Sequence, residues 1–378
     1  MDTNPFINKA LELHKKHRGK IALGIKTPIQ TREDLNVVYT PGVGGVSRAI
    51  EANPDLAYEL TAKGNSVAVI SDGTAVLGFG DIGPLAALPV MEGKCVILKT
   101  VADIDAFPIV LGTKNPDDII TIIKALEPTY GAIQLEDIAA PQCFEIEERL
   151  ERELSIPVMH DDQHGTAIVV LAALINALKV VRKNEKDVRV VTSGAGAAGI
   201  AITKLLYLYG FRHLTLLDSK GVISESRTDL HISKKSMLPF LDPKGSTLTE
   251  SLKDSDIFIG VSAASIVHES MIRSMNADAI IFAMANPVPE VMPDTAKRGG
   301  ARVIATGRSD FPNQINNALA FPGVFRGLLD YRIQKLTPEM KLRAAKALAS
   351  LIENPDEENI IPDFFDMRVV PAVKNAMK

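Results

Sequence analysis

The sequence predicts an α/β fold with largely parallel sheets in mid-chain and helical segments at both ends, and three observations carry that prediction. Short apolar runs rich in Val and Ile recur from about residue 58: SVAVISDG, CVILKTVAD, GAIQLEDI, IPVMHDD, DVRVVTSG, HLTLLDS, DIFIGVS, AIIFAMANP and RVIATG. Segments long enough for helices separate most of them, among them 115–127, 142–153, 165–183 and 197–210. Continuous apolar strands alternating with helices belong to parallel sheets covered on both faces. The third observation is a glycine-rich turn joining one such strand to the helix after it.

In chain order, residues 1–30 read as helical, with Phe6, Ile7, Ala10 and Leu11 at roughly helical spacing among Lys and His. The stretch GIKTPIQTREDL then reads as a loop, and the alternation of strands and helices follows. After residue 316 the chain turns helical again, and Thr337-Pro338-Glu339 opens a helix with a capping hydroxyl and a first-turn proline. There is no internal repeat and no low-complexity linker, so the motifs locate the domains. A first domain is expected over 1–160, a nucleotide-binding domain over 161–316, and a helical segment over 317–378 that returns to the first domain.

Composition excludes several classes of partner. Of 378 residues, 46% are hydrophobic and 23% charged, the profile of a globular protein, and the net charge is −4. With no dense Lys/Arg run, no Trp and 5% aromatics, no nucleic-acid partner is expected. Asn176 interrupts the longest apolar stretch, so no membrane span is expected either. The N-terminus, MDTNPFINKALELHKKHRGK, has no apolar signal core, and Cys95 and Cys143 are too few for a disulfide framework. A cytoplasmic setting follows as the expectation.

The turn reads DVRVVTSGAGAAGIAITKLLYLYG, with Gly194, Gly196 and Gly199 in the GxGxxG spacing and Ala197 and Ala198 between them. The first glycine permits the tight turn, the second admits a pyrophosphate, and the third lets helix pack on strand. The next strand ends in Asp218, 19 residues past Gly199, where a ribose-binding acid belongs in a Rossmann-like domain. An acid there favours NAD, while the neighbouring Ser219 and Lys220 leave NADP open.

Two earlier runs end in paired acids, GAIQLED in Glu136-Asp137 and IPVMHDD in Asp161-Asp162. Ligands bind beyond the carboxyl ends of parallel strands, so four carboxylates on one edge are placed to converge on a cation. Oxygen ligands of this kind suit Mg²⁺ or Mn²⁺. Helix capping is the competing reading, since both pairs precede helical segments. One carboxylate per helix suffices for a cap, however, and here there are four. His160 and His164 are four apart, but the strand–helix junction and Gly165 argue against a shared zinc-binding face, and both are read as packing residues.

These residues resemble the malic enzymes, and the resemblance extends over nearly the whole chain. NVVYTPGVGGVSRAI is similar to the family's tyrosine motif, DGTAVLGFGDIGP to its substrate loop and MEGKCVILK to its lysine motif. LED and HDDQHGTA resemble its metal motifs, MANPVPE and NQINNALAFPG its asparagine motifs, and FDMRVVPAV its tail. The short chain and the Ala/Gly-rich cofactor turn resemble the small-subunit prokaryotic type. The resemblance implies oxidative decarboxylation of L-malate to pyruvate and CO₂ with NAD or NADP. It further implies that Glu136, Asp137 and Asp162 hold Mg²⁺ or Mn²⁺, with Lys94 as general base, Tyr39 as general acid and Asp161 partnering Lys94. Asn286 and Asn317 would bind substrate and, for Asn286, the nicotinamide side. Where larger family members carry Arg in the substrate loop, this chain has Ala75, so a substrate carboxylate is left to Thr74, backbone amides, an asparagine or an Arg elsewhere. Two other readings remain open at this point: an oxaloacetate decarboxylase with no obligatory redox step, and a non-catalytic nucleotide-sensing module. The segment before Tyr39 is free to pack on a second copy in a homodimer and to place Tyr39 in the neighbour's site.

Overall fold

The computed structural model describes residues 5–378, which form two sheets flanked by helices. The first sheet has four parallel strands, β1 (Ser66–Ser71), β2 (Asp105–Val110), β3 (Ala132–Leu135) and β4 (Val158–His160), in the order β2-β1-β3-β4. The second has β5 (Arg189–Ser193), β6 (His213–Asp218), β7 (Gly221–Val222), β8 (Ile257–Gly260), β9 (Ala279–Ala283) and β10 (Ala301–Thr306), in the order β10-β9-β8-β5-β6-β7. All its pairings are parallel except that of the two-residue β7. The chain enters this sheet at β5, steps outward through β6, and returns to the other side at β8. That reversal opens a crevice above the carboxyl ends of β5 and β8. β1, β3, β4, β8 and β9 are buried throughout, which is why they read as unbroken apolar runs.

Three expectations need correction. CVILKTVAD is not a strand; it is the second half of the helix Pro84–Ala102. Its buried residues, Ala87, Met91, Cys95, Leu98 and Ala102, recur every three or four positions, and a left-handed Asp103 ends it. The strand is the next segment, β2, whose Pro108 is tolerated because β2 is a sheet edge. At the N-terminus the helix spans only Pro5–His17, with residues 1–4 outside the described residues; Arg18 (φ 57°) and Gly19 (φ 103°) terminate it. Residues 20–30 are irregular, and Thr31 and Asp34 form a capping box for the next helix, Arg32–Val38.

The third correction concerns the helix Asp161–Val181, which starts four residues before the expected 165. By length and composition it is able to cross a bilayer, despite Asn176; instead, 72% of its apolar window is buried inside the protein. Asn176 Nδ2 donates to the carbonyls of Ala349 (2.9 Å) and Ile360 (3.0 Å), so the polar side chain is satisfied within the core. This helix packs on helices Ala197–Tyr209 and Pro338–Ser350. The helix Phe321–Asp330 lies against helix Pro84–Ala102 and β3. By contrast, no residue from 6 to 65 is buried, although Phe6, Leu23, Ile25 and Tyr39 are all more than 60% exposed.

Candidate active site

Leu135 of β3 pairs with His160 of β4, so Glu136-Asp137 and Asp161-Asp162 leave the first sheet side by side. Glu136, Asp137 and Asp162 each present one carboxylate oxygen, all within 4.8 Å of one another. Asp161 and Asp162 occupy the first turn of their helix, yet no side chain caps it. The carboxylates are turned to other work. The positive φ of Asp137 (54°) is a conformation that Asp tolerates better than most residues, and its backbone N–H donates to Asp162 Oδ2 at 2.8 Å. Asp137 Oδ2 is buried with no hydrogen-bond partner. Burial, then the neighbouring Asp162 carboxylate, push Asp137 up to about 7. Burial raises Glu136 well above the usual carboxylate range even with Lys94 opposing it.

Lys94, on helix Pro84–Ala102, reaches into this cluster. Its Nζ donates to Asp161 Oδ2 at 2.7 Å and to Asn317 Oδ1 at 3.3 Å, and lies 3.0 Å from Glu136 Oε1. It also sits 4.7 Å from the centre of the Phe321 ring, a cation–π contact. Burying an ammonium costs several kcal/mol, but each close carboxylate returns about 4 kcal/mol at an effective dielectric near 20. Burial accordingly lowers the Lys94 pKa, and Asp161, Glu136 and Asp162 more than reverse that, leaving it above the usual lysine value. A lysine acting as base near neutral pH needs its pKa lowered, whereas with the protein's own groups alone Lys94 is an ammonium. Burial and mutual repulsion raise Glu136, Asp137 and Asp161, the response of crowded acids without a counter-ion. Such crowding calls for a cation, and three converging carboxylate oxygens fit Mg²⁺ or Mn²⁺.

Asp161 also explains Gly165. A Cβ at Gly165 would stand 1.8 Å from Asp161 Oδ1, so only glycine lets the carboxylate fold back over the helix beside Asn317. Behind Asp162, His160 Nε2 lies 3.2 Å from Asp162 Oδ2, close enough for charge attraction but not aligned as a hydrogen bond. Glu147, which sequence reasoning missed, organises this layer. Its carboxylate accepts from His160 N (2.7 Å) and Gln163 Nε2 (2.8 Å) and meets His164 Nε2 (3.0 Å). The signal was present: Glu147 shares the buried face of its helix with Cys143, Ile146 and Leu150. His160 and His164 thus pack and position rather than share a metal.

The glycine turn is built as expected. Gly194 has φ +114°, and a Cβ at Gly199 would meet Gly194 O at 1.8 Å, whereas nothing lies within 4 Å of one at Gly196. Gly196 precedes the helix Ala197–Tyr209, so Ala197 and Ala198 offer first-turn N–H groups to open space. Asn286 is exposed at the end of the segment following β9. Glu290, also missed, accepts from Ser262 N (2.8 Å) and Ala285 N (3.0 Å), tying the loops after β8 and β9 together. The carbonyl of Asn286 comes so close to Gly78 that a Cβ there would stand 2.0 Å from it. The substrate loop and the asparagine segment therefore meet across the two sheets.

The family model described as malic enzyme, N-terminal domain, matches residues 18–151, and that described as malic enzyme, NAD binding domain, matches 163–376. The chain belongs to the malic enzyme family. It is 52% identical over 374 residues to the bifunctional malic/malolactic enzyme of Bacillus subtilis, covering 98% of this chain and 91% of that one. It is also 52% identical over 363 residues to the NAD-dependent malic enzyme of Geobacillus stearothermophilus, covering 95% and 76%. The crystal structure of the NAD-dependent malic enzyme from Thermotoga maritima superposes with a TM-score of 0.95, at 47% identity, over 98% of each chain.

Within this malic enzyme fold two expected site residues are placed differently. Thr74 donates its hydroxyl to Asp72 Oδ1 (2.6 Å) and accepts from Ala139 N (2.8 Å). The Thr74 hydroxyl is thus engaged in holding the loop. Tyr39 is 67% exposed, and among the described residues no hydrogen bond joins it to Lys94 or the carboxylates. One chain brings together Lys94, Glu136, Asp137, Asp161, Asp162 and Asn317, but not Tyr39.

Proposed function

We propose that this chain oxidatively decarboxylates L-malate to pyruvate and CO₂ with reduction of NAD or NADP, and that a divalent cation held by Glu136, Asp137 and Asp162 takes part. The observation that carries the reading is Lys94 held among four carboxyl groups, three of which converge within 4.8 Å. Glu136, Asp137 and Asp162 would hold the cation, which would supply Lewis-acid stabilisation of negative charge on substrate oxygen, and the crevice would hold the nicotinamide, which would supply the hydride acceptor. A cation on the carboxylates would offset the charges that hold Lys94 as an ammonium, and the neutral amine would then take the proton of the C2 hydroxyl, with Asp161 and Asn317 fixing its Nζ. Tyr39 returns a proton to C3 of the enolate. An intact base and carboxylate set speaks against a merely nucleotide-sensing module. The test is nicotinamide absorbance with L-malate and Mn²⁺. One pyruvate is expected per nicotinamide reduced, with loss of activity on chelation. Oxaloacetate decarboxylation with no reduction of either nucleotide would instead establish the lyase.

We further propose that the working unit is a homodimer in which residues 6–65 of one copy cover the other and Tyr39 completes the neighbour's site. Two features support this. The segment has no buried residue, and the substrate loop and the helix after it expose Leu77, Phe79 and Leu85, each by 60% or more. Mixing Tyr39→Phe with Lys94→Ala chains and allowing subunits to exchange should then restore roughly a quarter of wild-type activity, because half of the symmetric pairs become mixed and each carries one whole site. No recovery after demonstrated exchange places Tyr39 in its own chain's site.

A further inference from the structure

A cleft of about 790 Å³ lies apart from both the carboxylates and the glycine turn. It opens between helix Gln142–Glu153 and helix Ala197–Tyr209, with the N-terminal end of helix Pro338–Ser350 on its border. Phe144, Ile200, Leu205 and Leu208 give it apolar walls. Neither Lys94 and the four carboxylates nor the glycines and Asp218 line it. A cleft of this volume accommodates a small organic molecule.

Lys341 reaches into this cleft from the first turn of helix Pro338–Ser350, the end at which the helix dipole disfavours a cation. Its Nζ lies 3.0 Å from His164 Nδ1, and among the described residues Nζ makes no other hydrogen bond and no ion pair. On its far side His164 Nε2 meets the Glu147 carboxylate at 3.0 Å, which fixes the imidazole proton on Nε2 and leaves Nδ1 to accept from the lysine. An ammonium has three N–H groups, so two are left over. Burial lowers the Lys341 pKa, and the carboxylates of Glu147 and Glu151 do not make up the difference. A buried ammonium with spare donors is costly until an anion meets it.

The rest of the lining has the same sign. Lys204, exposed on helix Ala197–Tyr209, also takes part in no ion pair among the described residues, and its charge opposes that of Lys341. Arg152 is held only by Glu153, at 3.5 Å. Of the two acids in the lining, Glu145 is tied to Arg149 at 3.0 Å and Glu148 is exposed. Basic side chains thus outnumber acids beside an apolar wall.

We propose that this cleft binds a small organic anion, a carboxylate or phosphoryl group on an apolar body, with Lys341 and Lys204 meeting the charge and Phe144, Ile200, Leu205 and Leu208 the body. The Lys341 ammonium donates its two spare N–H groups to the anion while His164 Nδ1 holds the third. The proposal does not depend on the nucleotide reading of the crevice.

Calorimetric titration of the metal-free enzyme with phenyl phosphate and with benzoate tests it, with benzyl alcohol as the uncharged control. At least one of the two anions is expected to bind with a Kd of about 1 mM or tighter, the scale for a ligand of this size. The tighter of the two identifies the anionic group. Benzyl alcohol should bind at least about tenfold more weakly. Saturating NAD should leave the titration unchanged, because the cleft lies outside the crevice. Lys341→Met should weaken the anion by about tenfold or more, the scale of a hydrogen bond to a charged group, and Lys341→Arg should retain part of the affinity. Lys204→Glu alters an exposed position, so it decides the matter if Lys341→Met fails to fold, and it too should weaken the anion. Absence of binding by either anion at millimolar concentration would overturn the proposal. Displacement by NAD, equal binding of benzyl alcohol, or unchanged affinity in the folded variants would overturn it as well.

Discussion

Replacing Lys94 by methionine lowers kcat by about 10²–10⁴-fold, the scale for loss of a positioned acid–base group. It also removes the counter-charge of Asp161 and Glu136, both essentially fully buried. Stability without metal should therefore fall by about 3–5 kcal/mol in urea unfolding, as for a broken buried pair. Lys94→Arg separates the two effects. A guanidinium keeps the charge beside Asp161 but does not give up its proton near neutrality. Stability should largely return in that variant while kcat stays low. Recovery of activity in Lys94→Arg would remove Lys94 from the role of base.

Asp137→Asn produces the second large effect, and its sign depends on the metal. Without a cation, the Asp137 carboxylate is buried beside Asp162 with one oxygen unpartnered. Neutralising it relieves like-charge repulsion, so the metal-free variant should be at least as stable as the wild type. With Mn²⁺ the order reverses. A ligand that binds only the folded state stabilises by about 2.7 kcal/mol at a hundred times its Kd. The wild type should gain that, while the variant, lacking one of three ligands, gains little. Losing an outer-shell partner alone typically costs 10–100-fold in metal affinity, so a larger loss is expected here, with activity falling alongside. Thermal unfolding with and without Mn²⁺ checks the crossing. Equal stabilisation of both proteins by Mn²⁺ would remove Asp137 from the metal site.

How far the sequence revealed this site depended on how each residue announces itself. Glu136-Asp137 and Asp161-Asp162 stand at the ends of buried apolar runs, where an unpaired charge is costly and hence conspicuous. Gly194, Gly196 and Gly199 likewise fall between a strand and a helix, the setting that gives their spacing meaning. Lys94 was legible only through its motif, because the β-branched Val96, Ile97 and Val101 disguise a helix as a strand. Glu147 was legible only from its place on the apolar face of its helix, and Glu290 was invisible, since a buried carboxylate and a solvated one look alike in a sequence until packing separates them. Thr74 was assigned by type, and only the geometry of Asp72 and Ala139 shows where its proton goes. Asp218 ends β6 as its apolar run predicts, but its partners Arg227 and Lys234 come from a loop and a four-residue helix with no periodic signature. Tyr39 lies in a segment that its own chain leaves uncovered, and one copy by itself does not join it to the carboxylates.

The central claim is that Glu136, Asp137 and Asp162 hold a divalent cation within reach of Lys94. Crystals grown with Mn²⁺ test it most directly through anomalous scattering at the metal's absorption edge. The account predicts one strong peak per chain, within about 2.0–2.6 Å of oxygens from all three carboxylates, and its disappearance in Asp137→Asn. A peak held elsewhere, or none at saturating Mn²⁺, would contradict it.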